Sequence, residues 1–167
     1  MTMAPSALDL LRRLLDESYE KKAWQGPNLR GSLRGVTAAQ AAWRPAAGRH
    51  SIWELVQHAA YWKYAVGRML AGGKRGEFPE KGSNWFPRSG PPAERAWKAD
   101  VANLDAQHRK LREAVAALRP SDLGRKPPGS RYTTDTLVYG VASHDVYHTG
   151  QIQMLKRLWR DRRRTSR

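Results

Sequence analysis

The chain has 167 residues, no cysteine and a formal net charge of +15, from 30 Lys and Arg against 15 Asp and Glu. This length is typical of one domain, and the lack of cysteine excludes disulfides, thiol nucleophiles and thiolate metal ligands. We find neither the roughly 20 unbroken apolar residues that cross a bilayer nor a signal-peptide core, so we expect a cytoplasmic protein without a membrane partner. The charge favours anionic partners such as nucleic acid, or serves solubility alone.

The first predicted helix covers residues 6–24. Its apolar stripe recurs at helical spacing and consists of Leu8, Leu11, Leu15 and Tyr19. A loop rich in Gly, Pro and Asn follows, and then a short helical turn over residues 37–42. Thr37 and Gln40 fit a capping box at the start of this turn.

The second long helix is predicted to begin at Ser51, because Ser51 and Glu54 form a capping box before an apolar run. The stripe that follows is Ile52, Leu55, Val56, Ala59, Trp62, Val66 and Met69. Two glycines end this helix and open a linker, residues 72–92, that is dense in Gly, Pro, Lys and Arg. The linker contains Trp85 and Phe86, which we expect to pack. Its length allows either a local reversal or a crossover along the molecule.

The third helix is predicted over residues 93–118, with apolar positions that step by four and three as in bundle packing. These are Trp97, Val101, Leu104, His108, Leu111, Val115 and Leu118. The fourth begins near Thr134 and runs to about residue 159 or beyond. No convincing strand pattern is present. We therefore predict an all-α fold: a four-helix bundle in residues 1–159, with a long linker between helices 2 and 3, and a basic tail in residues 160–167.

Three histidines lie on apolar helix faces. His144 and His148 are four residues apart in the middle of the fourth stripe, where a plain core would use Leu or Ile. His58 lies at the edge of the second stripe. Buried imidazoles need partners for their nitrogens, and one divalent ion between the two helices would satisfy all three. The alternative is a set of core histidines that are merely hydrogen-bonded.

Two more residues are candidates for a supporting shell around this site. Glu54 lies one turn before His58 and could orient that ring, although its capping role already accounts for it. His108 lies on the third stripe, where we interpret it as a polar core residue or a neighbour of the ligands, and a ligand role stays open. His50 precedes the Ser51 cap and is expected to be exposed.

Residues 41–62, AAWRPAAGRHSIWELVQHAAYW, and residues 144–157, HDVYHTGQIQMLKR, resemble the DinB/YfiT-like superfamily. The resemblance extends over essentially the whole chain: four helices, a histidine in the second, and HxxxH in the fourth followed by Gly150, Gln151 and Ile152. It implies a four-helix bundle, often dimeric, in which His58, His144 and His148 bind a divalent metal ion. Nickel and zinc are the first choices for the metal, and iron and cobalt are alternatives.

The resemblance implies an enzyme without fixing the reaction. Some relatives are S-transferases that use thiols such as bacillithiol or mycothiol, and others are described as metal-dependent hydrolases. A three-histidine site leaves coordination positions open, where a metal lowers the pKa of a water or a thiol. Basic residues such as Arg49, Lys63 and Arg68 are candidates for holding the carboxylates of a thiol cosubstrate. A metal-binding dimer without catalysis is another alternative.

The family name refers to induction by DNA damage, which implies a stress-response role and a nucleic-acid alternative. The candidate phosphate contacts are Arg160, Arg162, Arg163 and Arg164 in the basic tail. Nothing in the sequence resembles a recognition helix or a base-stacking motif. A solvated extension whose positive charge suits the C-terminal end of the helix dipole also explains the tail.

Overall fold

The computed structural model describes residues 4–73, 78–80, 84–88 and 90–162. Its helices are α1 (Ala7–Tyr19), α2 (Leu29–Ser32), α3 (Ala38–Ala42), α4 (Ile52–Leu70), α5 (Glu94–Ala116) and α6 (Thr134–Asp161), with a 3-10 turn at Pro120–Asp122. Within these residues there is no β-strand beyond an isolated bridge between Ala23 and Gly26. None of the described helices combines the length and apolar character that crossing a membrane requires. The prediction of an all-α fold with four long helices is confirmed.

Capping side chains set the start of the helices. The Ser51 hydroxyl accepts the backbone N–H of Glu54, and the Glu54 carboxylate accepts the backbone N–H of Ser51, as the sequence predicts. Ser6 and Asp9 form the same reciprocal pair before α1. Each pair satisfies backbone donors that the first helical turn leaves without partners. Before α3, the Thr37 hydroxyl accepts the N–H of Gln40 at 3.3 Å.

Helices α4 and α5 run parallel to each other. Near their N-terminal ends, Trp53 Nε1 donates to Asp100 at 2.6 Å. Near their C-terminal ends, a Cβ added to Gly67 would lie 3.3 Å from the Cα of Leu111. The linker therefore has to return along the length of the bundle before α5 begins. Of the two alternatives left open by the sequence, the structure shows the crossover.

Helix α6 runs antiparallel to α4 and completes the wall that carries the three histidines. The rings of His58 and His148 lie 5.1 Å apart, and further along the two helices Val66 and Val141 line the same cavity. Helix α4 packs on α5 and α6, and α1 packs on α6 and α5. The order around the bundle is therefore α1, α6, α4 and α5, so α4 lies between α6 and α5.

The end of the first helix differs from the prediction. Helix α1 ends at Tyr19, so the prediction that it reaches residue 24 is wrong. The apolar stripe stops at Tyr19, residues 20–22 are charged, and Trp24 is 99% exposed. Helix α2 was not predicted, because its four residues are too few to show a period. Helix α6 ends at Asp161, which agrees with the predicted end at about residue 159 or beyond, and residues 163–167 lie outside the described residues.

The apolar core consists of two clusters with a polar layer between them. On α4, α5 and α6 the buried members of the two clusters are separated by residues 61–65, 105–110 and 143–151, respectively. Buried polar side chains occupy these intervals, and they are Lys63, Gln107, His108, Asp145, His148 and Thr149. Because buried polar groups need partners, this layer is where the fold places its chemistry.

Candidate metal centre

Three imidazole rings meet between α4 and α6. Nε2 of His144 lies 3.1 Å from Nε2 of His58 and 2.9 Å from Nε2 of His148, and one ligand atom from each residue lies within 4.8 Å of the others. Two nitrogens bound at about 2.1 Å and at right angles around one ion are about 3.0 Å apart. The structure thus brings together the three histidines that the sequence singles out, at a spacing that fits one metal ion.

Hydrogen bonds to the outer nitrogens orient two of these rings. Nδ1 of His58 lies 2.7 Å from the backbone oxygen of Asn84, and Nδ1 of His148 lies 2.6 Å from Oε1 of Gln151. Both partners are acceptors, so each Nδ1 carries the proton and each Nε2 presents a lone pair. A cation between the three Nε2 atoms would satisfy these lone pairs, and so would hydrogen bonds from a proton on Nε2 of His144. Oxygen acceptors behind imidazole ligands are usual in metal sites.

Burial keeps the three rings neutral near pH 7. It lowers the pKa of His144 to about 3, with the neighbouring His148 and His58 adding to the effect. Burial also lowers the pKa of His148 to about 4 and moves the pKa of His58 in the same direction. A metal ion binds imidazole in its neutral form. The site therefore needs no deprotonation of these side chains to accept an ion at neutral pH.

Aromatic rings flank the histidines. Trp85 lies between two parallel imidazoles, with ring centroids 3.9 Å from His58 and 3.7 Å from His50. Trp62 meets His58 and His144 edge to face at 6.3 and 6.4 Å. His50 stays about half exposed, with 47% of its side chain accessible, as expected. The sequence also predicts packing of the linker aromatics, but it carries no signal that pairs Trp85 with a histidine.

The structure shows where the two proposed supporting residues lie. The Glu54 carboxylate accepts from the backbone of Ser51 at 2.9 Å and from Arg44 at 2.6 Å, which is the capping role. His108 stacks on Tyr19. Among the described contacts, neither Glu54 nor His108 hydrogen-bonds to the three central histidines. The residues that hydrogen-bond to the outer nitrogens of His58 and His148 are Asn84 and Gln151. Gln151 lies one turn after His148, so helical spacing could have identified it, whereas a backbone oxygen in a linker leaves no sequence signal.

A buried ion pair lies beside the histidines. Lys63 Nζ donates to Asp145 Oδ2, and both side chains are 0% exposed. The same Nζ lies 3.2 Å from Nδ1 of His108. Burial lowers the pKa of Lys63 and raises the pKa of Asp145, and their mutual attraction opposes both shifts. The suggestion that Lys63 holds a thiol carboxylate near the pocket mouth is therefore wrong, because the lysine is enclosed in the core.

His108 is expected to make the fold sensitive to acid. Burial, helped by the nearby positive charges of Lys63 and Arg112, lowers the pKa of His108 from 6.5 to about 2. In the unfolded chain this histidine takes up a proton below about pH 6.5, whereas in the folded chain it stays neutral. Unfolding therefore binds a proton, and stability falls as the pH drops through this window. Between pH 7 and pH 5 the loss from this one group is about 2 kcal/mol.

Urea unfolding of chelator-treated protein at pH 7 and pH 5 measures this effect. The variant His108→Phe cannot take up the proton in either state. Its loss of stability between the two pH values should therefore be smaller than that of the parent by about 2 kcal/mol. An equal loss in both proteins would show that His108 is not held neutral by the fold.

The described part of the basic tail belongs to the end of α6. Arg160 is exposed. The Arg162 guanidinium donates to the backbone oxygen of Trp159 and lies over the Trp159 ring, 3.0 Å from its centroid. The two other candidate phosphate contacts, Arg163 and Arg164, lie outside the described residues. The nucleic-acid alternative stays a prediction.

A family model described as the DinB superfamily matches residues 21–152, which is most of the 167 residues and includes all three central histidines. Neither the curated proteins nor the solved structures give a match. The family match agrees with the helical fold and with the histidine group. The chain belongs to the DinB superfamily.

Proposed function

We propose that the protein is a metal-dependent enzyme in which His58, His144 and His148 hold one divalent ion that activates a water or thiol nucleophile. The observation that carries the proposal is the convergence of three Nε2 atoms, with neighbours 2.9 and 3.1 Å apart, inside a bundle core. Nickel and zinc are the favoured ions, and iron and cobalt are alternatives, because imidazole nitrogen is a suitable ligand for all four.

The chain's own residues would prepare this site for chemistry. Asn84 and Gln151 fix the rings of His58 and His148 through their Nδ1 protons. The stacked Trp85 and the neighbouring Trp62 form the aromatic surroundings of the His58 ring. A divalent ion with open positions lowers the pKa of a water or thiol that it binds, so that the nucleophile forms at neutral pH.

The nucleophile separates two reactions within this proposal. Water as nucleophile makes the protein a hydrolase, and a low-molecular-weight thiol makes it an S-transferase. The chain has no cysteine, so a thiol would have to come from a cosubstrate. The homodimer, the thiol cosubstrate and the stress-response role stay predictions from the family resemblance.

Metal-dependent turnover tests the proposed function. Chelator-treated protein is reloaded with nickel or zinc and assayed on an activated ester, and on an electrophilic aryl halide with a low-molecular-weight thiol. We expect turnover by the loaded parent and background rates with the triple variant His58→Ala, His144→Ala, His148→Ala. Dependence on the thiol would identify the transferase, and ester cleavage without it would identify the hydrolase. Equal rates for parent and triple variant would contradict the proposal.

A further inference from the structure

A cavity of about 400 Å³ lies beside the histidines, between α4, α6 and the segment that precedes α6. Its walls include the apolar side chains of Val66, Met69, Leu137 and Val141, and Trp62 and His144 also line it. His144 is one of the three central histidines, and the Trp62 ring meets the His144 ring with centroids 6.4 Å apart. The cavity and the metal centre therefore share a wall.

The size and lining of the cavity indicate the kind of group that fits. Ligand sites in proteins typically have volumes of roughly 300–1,000 Å³ and mainly apolar walls with a few polar groups. An apolar cavity of about 150 Å³ is already large enough for benzene. The volume of about 400 Å³ has room for a substituted aromatic ring or a branched aliphatic chain.

The charge at the edge of the cavity has one sign. Residues 129–132 form part of the lining, and they include the exposed side chain of Arg131. Among the described residues that line the cavity there is no Asp or Glu. A ligand with a negative group is therefore favoured over a neutral one, and a cationic ligand is disfavoured.

We propose that the substrate of the metal centre is a small amphipathic molecule whose apolar part fills this cavity and whose anionic group lies near Arg131. That the molecule reacts at the metal centre rests on the proposed function, whereas its binding in the cavity rests on the cavity alone. The apolar part would anchor the molecule with its reacting bond on the His144 side. Binding energy from a group remote from the reaction would hold that bond in place.

One glycine allows the cavity to be filled without disturbing the fold. Gly140 lines the cavity one turn before His144, and a Cβ added there meets no atom within 4 Å. Its backbone is not in the left-handed region, so Gly140→Leu introduces no strain and improves helix propensity. Gly150 is a matched control, because it lies on the same helix, is exposed, and also has open space at its Cβ.

Calorimetric titration with three probes tests the proposal. The probes are 4-phenylbutyrate, 4-phenyl-1-butanol and 4-phenylbutylamine, which share an apolar part and differ in charge. The parent should bind them in that order of affinity. Gly140→Leu should lower the affinity for 4-phenylbutyrate by at least about tenfold, or about 1.4 kcal/mol. Gly150→Leu should bind 4-phenylbutyrate with the same affinity as the parent. Arg131→Gln should reduce the preference for the carboxylate over the alcohol by about two- to fivefold, as expected for an exposed charge.

Each titration is made on the full chain with its metal content measured, and is repeated after chelation. Unchanged binding to Gly140→Leu, or a preference for the amine, would overturn the proposal. Binding of the probe in the cavity does not need the ion. If binding survives chelation and is weakened by Gly140→Leu, the result supports the proposed cavity site whatever the outcome of the turnover assay. Binding that requires the metal and ignores Gly140→Leu would place the probe on the ion and reject the cavity.

Discussion

Replacing Lys63 by methionine is expected to destabilise the bundle by about 3–5 kcal/mol. Lys63 and Asp145 are both 0% exposed and pair within the polar layer of the core. Methionine fills much of the space of the lysine chain but leaves the Asp145 carboxylate without its cation. It also removes the Nζ that lies 3.2 Å from His108 Nδ1. An unpaired buried charge is far more costly than the loss of a surface ion pair.

A double-mutant cycle isolates this contribution. Asp145→Ala alone should also be strongly destabilising, because it leaves the Lys63 ammonium buried without its carboxylate. The double variant Lys63→Met, Asp145→Ala should be less destabilised than the sum of the two single variants by about 2–3 kcal/mol. Chelator-treated protein is used throughout, since Asp145 is next to His144 in the chain.

The matched control for this cycle is a pair at the surface, in which Arg13 is exposed and Glu17 is half-buried. Arg13 and Glu17 form an i, i+4 salt bridge at 3.5 Å on α1, and removing it should change stability by no more than about 0.5 kcal/mol. If Lys63→Met were as mild as Arg13→Met, the buried pair would not hold the polar layer together.

Local sequence signals predict much of this fold. The Ser51 and Glu54 capping box correctly places the start of α4, and the regular stripe of the third predicted helix matches α5 to within two residues at each end. Helical spacing also identifies His144 and His148 as neighbours on one face. These features depend on residues within one or two turns of each other, so one sequence is enough to detect them.

Other features depend on contacts between distant segments, and the sequence does not predict them. The crossover of the linker follows from the parallel packing of α4 and α5, which no single helix encodes. The acceptor for His58 is the backbone oxygen of Asn84, 26 positions away, and a backbone atom has no residue signature. Lys63 looks like an ordinary basic residue until Asp145, 82 positions away, is known to face it.

Removing the three central histidines is expected to abolish tight metal binding. In the proposed site each Nε2 would contribute one bond to the ion, and alanine supplies no replacement ligand. Alanine favours helix, and in a chelated sample neither the parent nor the triple variant contains the ion. The helical content of the triple variant should therefore stay close to that of the parent. Circular dichroism checks this before metal is measured. His50→Ala is the matched control, since His50 lies beside the site but outside the converging group.

Elemental analysis of protein purified without an affinity tag tests the metal centre most directly. We expect about one equivalent of nickel or zinc per chain in the parent and in His50→Ala. The triple variant His58→Ala, His144→Ala, His148→Ala should contain none. Absence of metal from the parent, even after nickel or zinc is added, would contradict the account. So would an equal metal content in the parent and the triple variant.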